Sequence, residues 1–267
     1  MSDDRLKLAI EWARGAGEIL LAGYGHVRQI ETKSSVVDLV TEHDLASEAF
    51  LLGQIQSTYP QDAFLAEESG QRGSGAYSWV IDPLDGTTNF AHGLPLFAVS
   101  IACLLEGQPI LGVVYAPAID ELFTASESSS AQLNGSSIHV SEQDNLDSAL
   151  MVTGFPYDVR TRVDNNLGHY RDFALRTQGV RRFGSAALDL CYVAAGRFDG
   201  YWEVETQPWD YSAGALIVRQ AGGTVTQMDG RRPEWQQSCS IVATNGTIHS
   251  AVRALLSGGV SSALPGG

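Results

Sequence analysis

The segment Trp79-Val-Ile-Asp82-Pro83-Leu84-Asp85-Gly86-Thr87-Thr88-Asn89-Phe90 holds the densest chemistry in the chain. An apolar strand runs into Asp82, Pro83 cannot continue a ladder, and Asp85 follows within the same tight turn. Gly86 accepts backbone angles that bring amides close to a ligand, and Thr87, Thr88 and Asn89 are helix-start types. Two carboxylates beside such amides would suit a hard divalent cation together with a phosphate. A capped Asx-type turn explains the same residues without any ligand.

Other acidic positions carry the same ambiguity. Asp210, in Pro208-Trp209-Asp210, precedes an apolar helical run and reads as an N-cap. Thr41-Glu-His-Asp44 fits a capping box, and Glu67-Glu68 follows a short apolar strand, Phe64-Leu-Ala66. Capping and catalysis are compatible, because a helix start offers a positive dipole end to an anion. The histidines and cysteines show no metal spacing, and no nucleophile elbow, Walker loop or dinucleotide fingerprint occurs.

The elements that must position these residues follow from periodicity. Residues 5–22 and 45–58 have helical spacing. The strands Trp79–Ile81, Phe97–Leu105, Ile110–Tyr115 and Leu122–Thr124, with a tight hairpin at Asn134-Gly135, predict an antiparallel meander. Beyond it, strands (150–153, 198–204, 224–228, 240–244) alternate with helices (162–177, 185–195, 210–221 and one from 247). Gly222-Gly223 closes the 210–221 helix as a left-handed cap. The expected organisation is an N-terminal α+β half, residues 1–145, and a C-terminal α/β half, residues 146–267. With no flexible linker between them, they form one cooperative unit of layered α/β class.

Composition bounds the partners. The chain has 267 residues, with 17 Lys+Arg against 31 Asp+Glu and a formal net charge of −14. That balance disfavours direct nucleic-acid or anionic-lipid binding. No apolar run approaches a membrane span, and no basic signal region opens the sequence. Three scattered cysteines fit a reducing cytoplasm.

Together the motifs resemble those of the inositol monophosphatase family of metal-dependent, lithium-sensitive phosphatases. The resemblance runs from Lys33 and Asp38-Leu-Val-Thr-Glu-His-Asp44, through Glu67-Glu-Ser69 and Asp82–Thr88, to Trp209-Asp-Tyr-Ser-Ala-Gly214 and Ala221-Gly-Gly223. It implies a five-layered αβαβα sandwich. It also implies a first Mg²⁺ held by Glu67, Asp82 and the Leu84 carbonyl, and a second held by Asp82, Asp85 and Asp210. A weaker third ion would lean on Glu67, and Mn²⁺ is a possible substitute. Asp44 and Thr87 would activate the water, with Glu67 beside them. The Gly86 and Thr87 amides would receive the phosphate, Asp85 and Thr88 would also bind substrate, and Lys33 would lie at the rim. Gly184, Ser185, Ala186, Glu203 and Asp210 would contact the polyol.

The implied activity is hydrolysis of inositol 1-phosphate and related polyol or sugar phosphates by a cytoplasmic homodimer. Alternatives are a histidinol-phosphate phosphatase, then a nucleotide 3′-phosphatase, or a relative that also binds transcription-antitermination machinery. Ser126–Ser130 and Gln207-Pro208 depart from the family pattern. The negative net charge does not exclude an anionic substrate, since two or three Mg²⁺ would add about +4 to +6 where it docks.

Overall fold

In the computed structural model, residues 2–26, 30–32 and 39–258 are described. Lys33 and Asp38 lie outside them. The chain begins with α1 (Ser2–Gly23), the antiparallel pair β1 (Ile30–Thr32) and β2 (Leu39–Thr41), and α2 (Glu42–Thr58). Then come β3 (Ala63–Ala66), β4 (Gly70–Arg72), β5 (Tyr77–Asp85), α3 (Thr87–Ala91), β6 (Ala98–Leu105), β7 (Gln108–Ala116), β8 (Glu121–Ser126), β9 (Ser129–Leu133) and β10 (Ser136–Ser137). The remainder is β11 (Leu150–Thr153), α4 (Leu167–Ala174), β12 (Gly179–Arg181), α5 (Ala186–Ala194), β13 (Gly200–Thr206), α6 (Pro208–Gln220), β14 (Thr224–Thr226), β15 (Cys239–Thr244) and α7 (His249–Ser257).

Among the described residues, an eight-stranded sheet runs in the order β10-β9-β8-β7-β6-β5-β3-β4. It is the expected meander with one parallel step, β3 against β5. Successive side chains alternate between its faces. Trp79, Ile81, Val99, Ile101, Cys103 and Val113 pack toward α1 and α2, while Val80, Ala102, Leu104 and Val114 pack toward α5 and α6. Both faces are buried, so the strands read as unbroken apolar runs rather than alternating ones.

The second sheet, order β12-β11-β13-β15-β14, lies across α5 and α6. Its outer face packs on α4 and α7 around Met151, Phe173, Trp202 and Val252, with Phe173 stacked on Trp202 at 4.1 Å between ring centroids. Helices, sheet, helices, sheet, helices: this is the five-layered αβαβα sandwich. No helix among the described residues is long and apolar enough to cross a membrane.

Two segments differ from their periodicity. The 162–177 helix contracts to α4, Leu167–Ala174. Asn166, at φ 68°, is held by Trp202 Nε1 (2.7 Å) and itself donates to the Gly154 carbonyl (2.6 Å), so tertiary bonds stop the helix there. The 210–221 helix begins earlier, at Pro208, because a proline suits a first helical turn where its missing N–H costs nothing. Asp210 is therefore not the N-cap, which is Gln207. Instead its carboxylate reaches back to accept from the Gln207 amide at 2.9 Å.

Candidate active site

The site starts from an irregularity in β5. Asp82 pairs with Ser100 and Asp85 with Ala98, so β5 carries one more residue than β6 between those pairs. Pro83, with no amide to give, sits in this bulge, and Leu84 N donates to Asp82 Oδ1 at 2.9 Å. The bulge re-aims the strand end so that Asp82 and Asp85 serve one cavity. Gly86 then turns the chain at φ 93°, where a Cβ would lie 2.9 Å from the Leu96 carbonyl oxygen. Only glycine fits that turn without strain.

Three connections fix the other groups around this strand end. Ser100, opposite Asp82, donates to the Trp209 carbonyl at 3.0 Å and thereby sets the start of α6 and of Asp210. Asp85 Oδ2 accepts from Ser185 Oγ at 2.6 Å and Ala187 N at 2.7 Å, and Oδ1 from Ala186 N at 3.3 Å, so Asp85 caps α5 across 100 residues of sequence. Glu48 accepts from Glu68 N at 2.9 Å and Glu67 N bonds to the Ile81 carbonyl, which anchors Glu67 beside β5. Asn89 adds a further join, donating to the carbonyls of Leu96 and Phe183 at 2.6 and 2.7 Å.

Asp44 is fully buried, and its Oδ2 accepts from the Thr41 amide (2.9 Å) and hydroxyl (2.6 Å), which is the expected capping box. Its other oxygen lies 3.1 Å from Thr87 Oγ1, which is also 3.1 Å from the Leu84 carbonyl. Capping thus orients Asp44 and leaves Oδ1 facing a hydroxyl on the cavity wall.

Glu67, Asp82, Asp85, Asp210, Leu84, Gly86 and Thr87 line a single cavity of ≈ 350 Å³, with Tyr157, Gln207 and Trp209. No Lys or Arg is among these described lining residues. Burial, then Glu67, Asp85 and Asp210, push Asp82 well above the usual carboxylate range. Burial, then Asp85 and Glu67, do the same to Asp210, which keeps some solvent contact through the cavity. Burial raises Asp85 to about 6, against the Ser185 hydroxyl, the Ala187 and Ala186 amides and Arg182. Among the described residues, no three His, Cys, Asp or Glu side chains converge on one point. The carboxylates instead ring a cavity. That donor set, all oxygen and negatively charged, fits a hard divalent cation such as Mg²⁺.

A second cavity of ≈ 380 Å³ adjoins the first through Asp85, Tyr157, Gln207 and Asp210. Gly184, Ser185, Ala186 and Glu203 line it. Glu203 is raised to about 8, by burial first, against Tyr201 and Arg182. Gly154 has no side chain because a Cβ there would overlap Glu203 Oε1. Thr88 is exposed on α3, and its side chain lines neither cavity. Sequence reasoning missed Gly154, Tyr157, Arg162, Asp189 and Glu205, which also line the second cavity. Asp189 had a signal: an acid inside the apolar run 186–194.

Residues 1–259 match the model of the inositol monophosphatase family. The chain is 48% identical over 246 residues to an inositol-1-monophosphatase of Synechocystis sp., covering 91% of this chain and 85% of that protein. It is 44% identical over 247 residues to the Nus factor SuhB of Pseudomonas aeruginosa, covering 90% and 91%. The solved structure of an inositol monophosphatase from Anabaena superposes with a TM-score of 0.86 at 44% identity, covering 95% of each chain.

Proposed function

Because the chain belongs to the inositol monophosphatase family, a phosphatase family, we propose that it hydrolyses inositol 1-phosphate and related polyol phosphates in a Mg²⁺-dependent reaction. One observation carries this reading: Glu67, Asp82, Asp85 and Asp210 share a cavity, where Glu67 and Asp85 raise the cost of ionising both Asp82 and Asp210. Glu67, Asp82 and the Leu84 carbonyl would hold a first Mg²⁺, and Asp82, Asp85 and Asp210 a second, with Glu67 available to a third. Mn²⁺ would serve as a substitute. Bound there, the ions would lower the pKa of a coordinated water and offset charge on the leaving oxygen.

The chain's own groups do the rest. Thr87 Oγ1, 3.1 Å from Asp44 Oδ1, takes the proton of the attacking water and passes it to Asp44. The Thr41 amide and hydroxyl keep Asp44 aimed at Thr87 throughout. Amides at Gly86 and Thr87 receive the phosphate beside Asp85, and Thr88 contributes backbone only. The polyol occupies the second cavity against Glu203, with Gly184, Ser185 and Ala186 along its wall. The enzyme works in the cytoplasm as a homodimer and is inhibited by lithium.

The substrate test compares phosphate release from inositol 1-phosphate, histidinol phosphate and a nucleoside 3′-phosphate under Mg²⁺. Fastest turnover of the first is expected, and turnover of histidinol phosphate alone would replace the reading with the second substrate. A Nus-factor role alongside hydrolysis is favoured by the P. aeruginosa relative of that name. Its signature would be antitermination binding that survives Asp82→Asn while hydrolysis does not.

A further inference from the structure

The second cavity contains an acid that hydrolysis at the first does not use. Asp189 is the one charged residue of α5, in Ala186-Ala-Leu-Asp-Leu-Cys-Tyr-Val-Ala194, and is 1% exposed. It lines the cavity with Glu203, Arg182 and Asp210. Among the described residues its Oδ1 accepts no hydrogen bond, and the one other buried side-chain polar atom in that condition is the Tyr201 hydroxyl. Both orphans flank Glu203. Glu203 lies near enough to raise both Asp189 and Tyr201, although the Tyr201 hydroxyl does not meet Glu203 in hydrogen-bonding geometry.

A buried acid with a bare oxygen destabilises the fold that contains it, and native chains satisfy nearly all such groups. The site could have held a leucine at no cost to α5, whose neighbours Leu188 and Leu190 are fully buried. An explanation therefore has to come from what enters the cavity. Its ≈ 380 Å³ suits a six-membered polyol ring, and it opens onto the carboxylate cavity through Asp85 and Asp210. A substrate with its phosphate at the first cavity places its hydroxyls in the second. Carboxyl groups there both accept from and donate to hydroxyls, as no aliphatic side chain can.

We propose that the Asp189 carboxyl, beside Glu203, binds hydroxyl groups of the polyol half of the substrate and so is a specificity-determining residue. This rests on the polyol-phosphate reading above. The discrimination comes from pairing: a hydroxylated ring offers the Asp189 carboxyl, at the cavity wall, hydrogen-bond partners that a ligand without hydroxyls lacks.

The test uses Asp189→Leu and Asp189→Asn in the full chain with saturating Mg²⁺. Activity is read on inositol 1-phosphate and on 4-nitrophenyl phosphate, which has no polyol. In Asp189→Leu, kcat/KM for inositol 1-phosphate should fall about ten-fold or more while that for the aryl phosphate stays within about two-fold. The melting temperature should hold or rise, since the orphaned acid is gone. Asp189→Asn, which keeps a donor and an acceptor, should recover part of the loss. Equal losses on both substrates, no loss on either, or a lowered melting temperature would overturn the proposal.

Calorimetric titration with free myo-inositol separates this inference from the phosphatase reading. If the wild type hydrolyses neither phosphate, the phosphatase reading fails. Weakened myo-inositol binding in Asp189→Leu would still uphold the role of Asp189, and unchanged or absent binding in both proteins would overturn it.

Discussion

Removing divalent cations should make the fold increasingly fragile as pH rises, with Asp85 setting the scale. Its ordinary value is 3.8 and its folded value about 6. Below pH 3.8 both states hold the proton and the carboxylate costs the fold nothing. Between the two values the unfolded chain releases its proton while the folded chain keeps it, so stability falls. Above about 6 the loss is complete, about 3 kcal/mol. For a chain of this size that is on the order of 5 to 10 °C in melting temperature.

Asp82 and Asp210, raised in the same direction, add to the decline. His249 acts oppositely: burial, then Arg253, lower it from 6.5, so it favours folding as pH rises toward that value. The assay is therefore thermal unfolding followed by circular dichroism at pH 5 to 8, once with chelator and once with saturating Mg²⁺. The difference between the two series cancels His249. That gap should widen with pH and be smaller in Asp82→Asn, which removes one repelling charge. A gap that stays level or narrows would refute the shared carboxylate cavity.

Other outcomes follow from single contacts. Thr87→Val keeps the shape but removes the hydroxyl 3.1 Å from Asp44, so kcat for inositol 1-phosphate should fall about 10²-fold with KM nearly unchanged, and Thr87→Ser should keep most activity. Gly154→Ala puts a methyl where Glu203 Oε1 lies, so steady-state kinetics should show KM for inositol 1-phosphate rising several-fold while 4-nitrophenyl phosphate turnover holds. Gly86→Ala combines φ 93° with a 2.9 Å approach to the Leu96 carbonyl. Denaturant unfolding should show it less stable by about 1–3 kcal/mol.

What the sequence discloses and what it conceals divide along local and long-range contacts. The Asp82–Thr87 turn was legible because Pro83, Gly86 and the carboxylates are adjacent in the chain and their chemistry is local. The Thr41–Asp44 box was legible for the same reason. Asp210 looked like a helix cap although Pro208, two residues earlier, is itself a helix-start signal; hidden from the local sequence is that Ser100, on another sheet strand, fixes its position. The late start of the 162–177 helix, after Asn166, depends on Trp202, and the space for Glu203 depends on Gly154. Ser185 marked only the start of the 185–195 helix, whereas its hydroxyl caps α5 and also donates to Asp85. Parallel pairing of β11 with β12 and β13 leaves no hairpin signature, which is why β12 passed unnoticed.

The most direct measurement is inorganic phosphate released from inositol 1-phosphate by the wild type and by Asp82→Asn, each with Mg²⁺ and with chelator. Turnover should occur in the wild type with Mg²⁺, vanish with chelator, and fall by several orders of magnitude in Asp82→Asn. Undiminished hydrolysis in chelator, or in Asp82→Asn, would show that the carboxylate cavity is not where a metal-assisted reaction takes place.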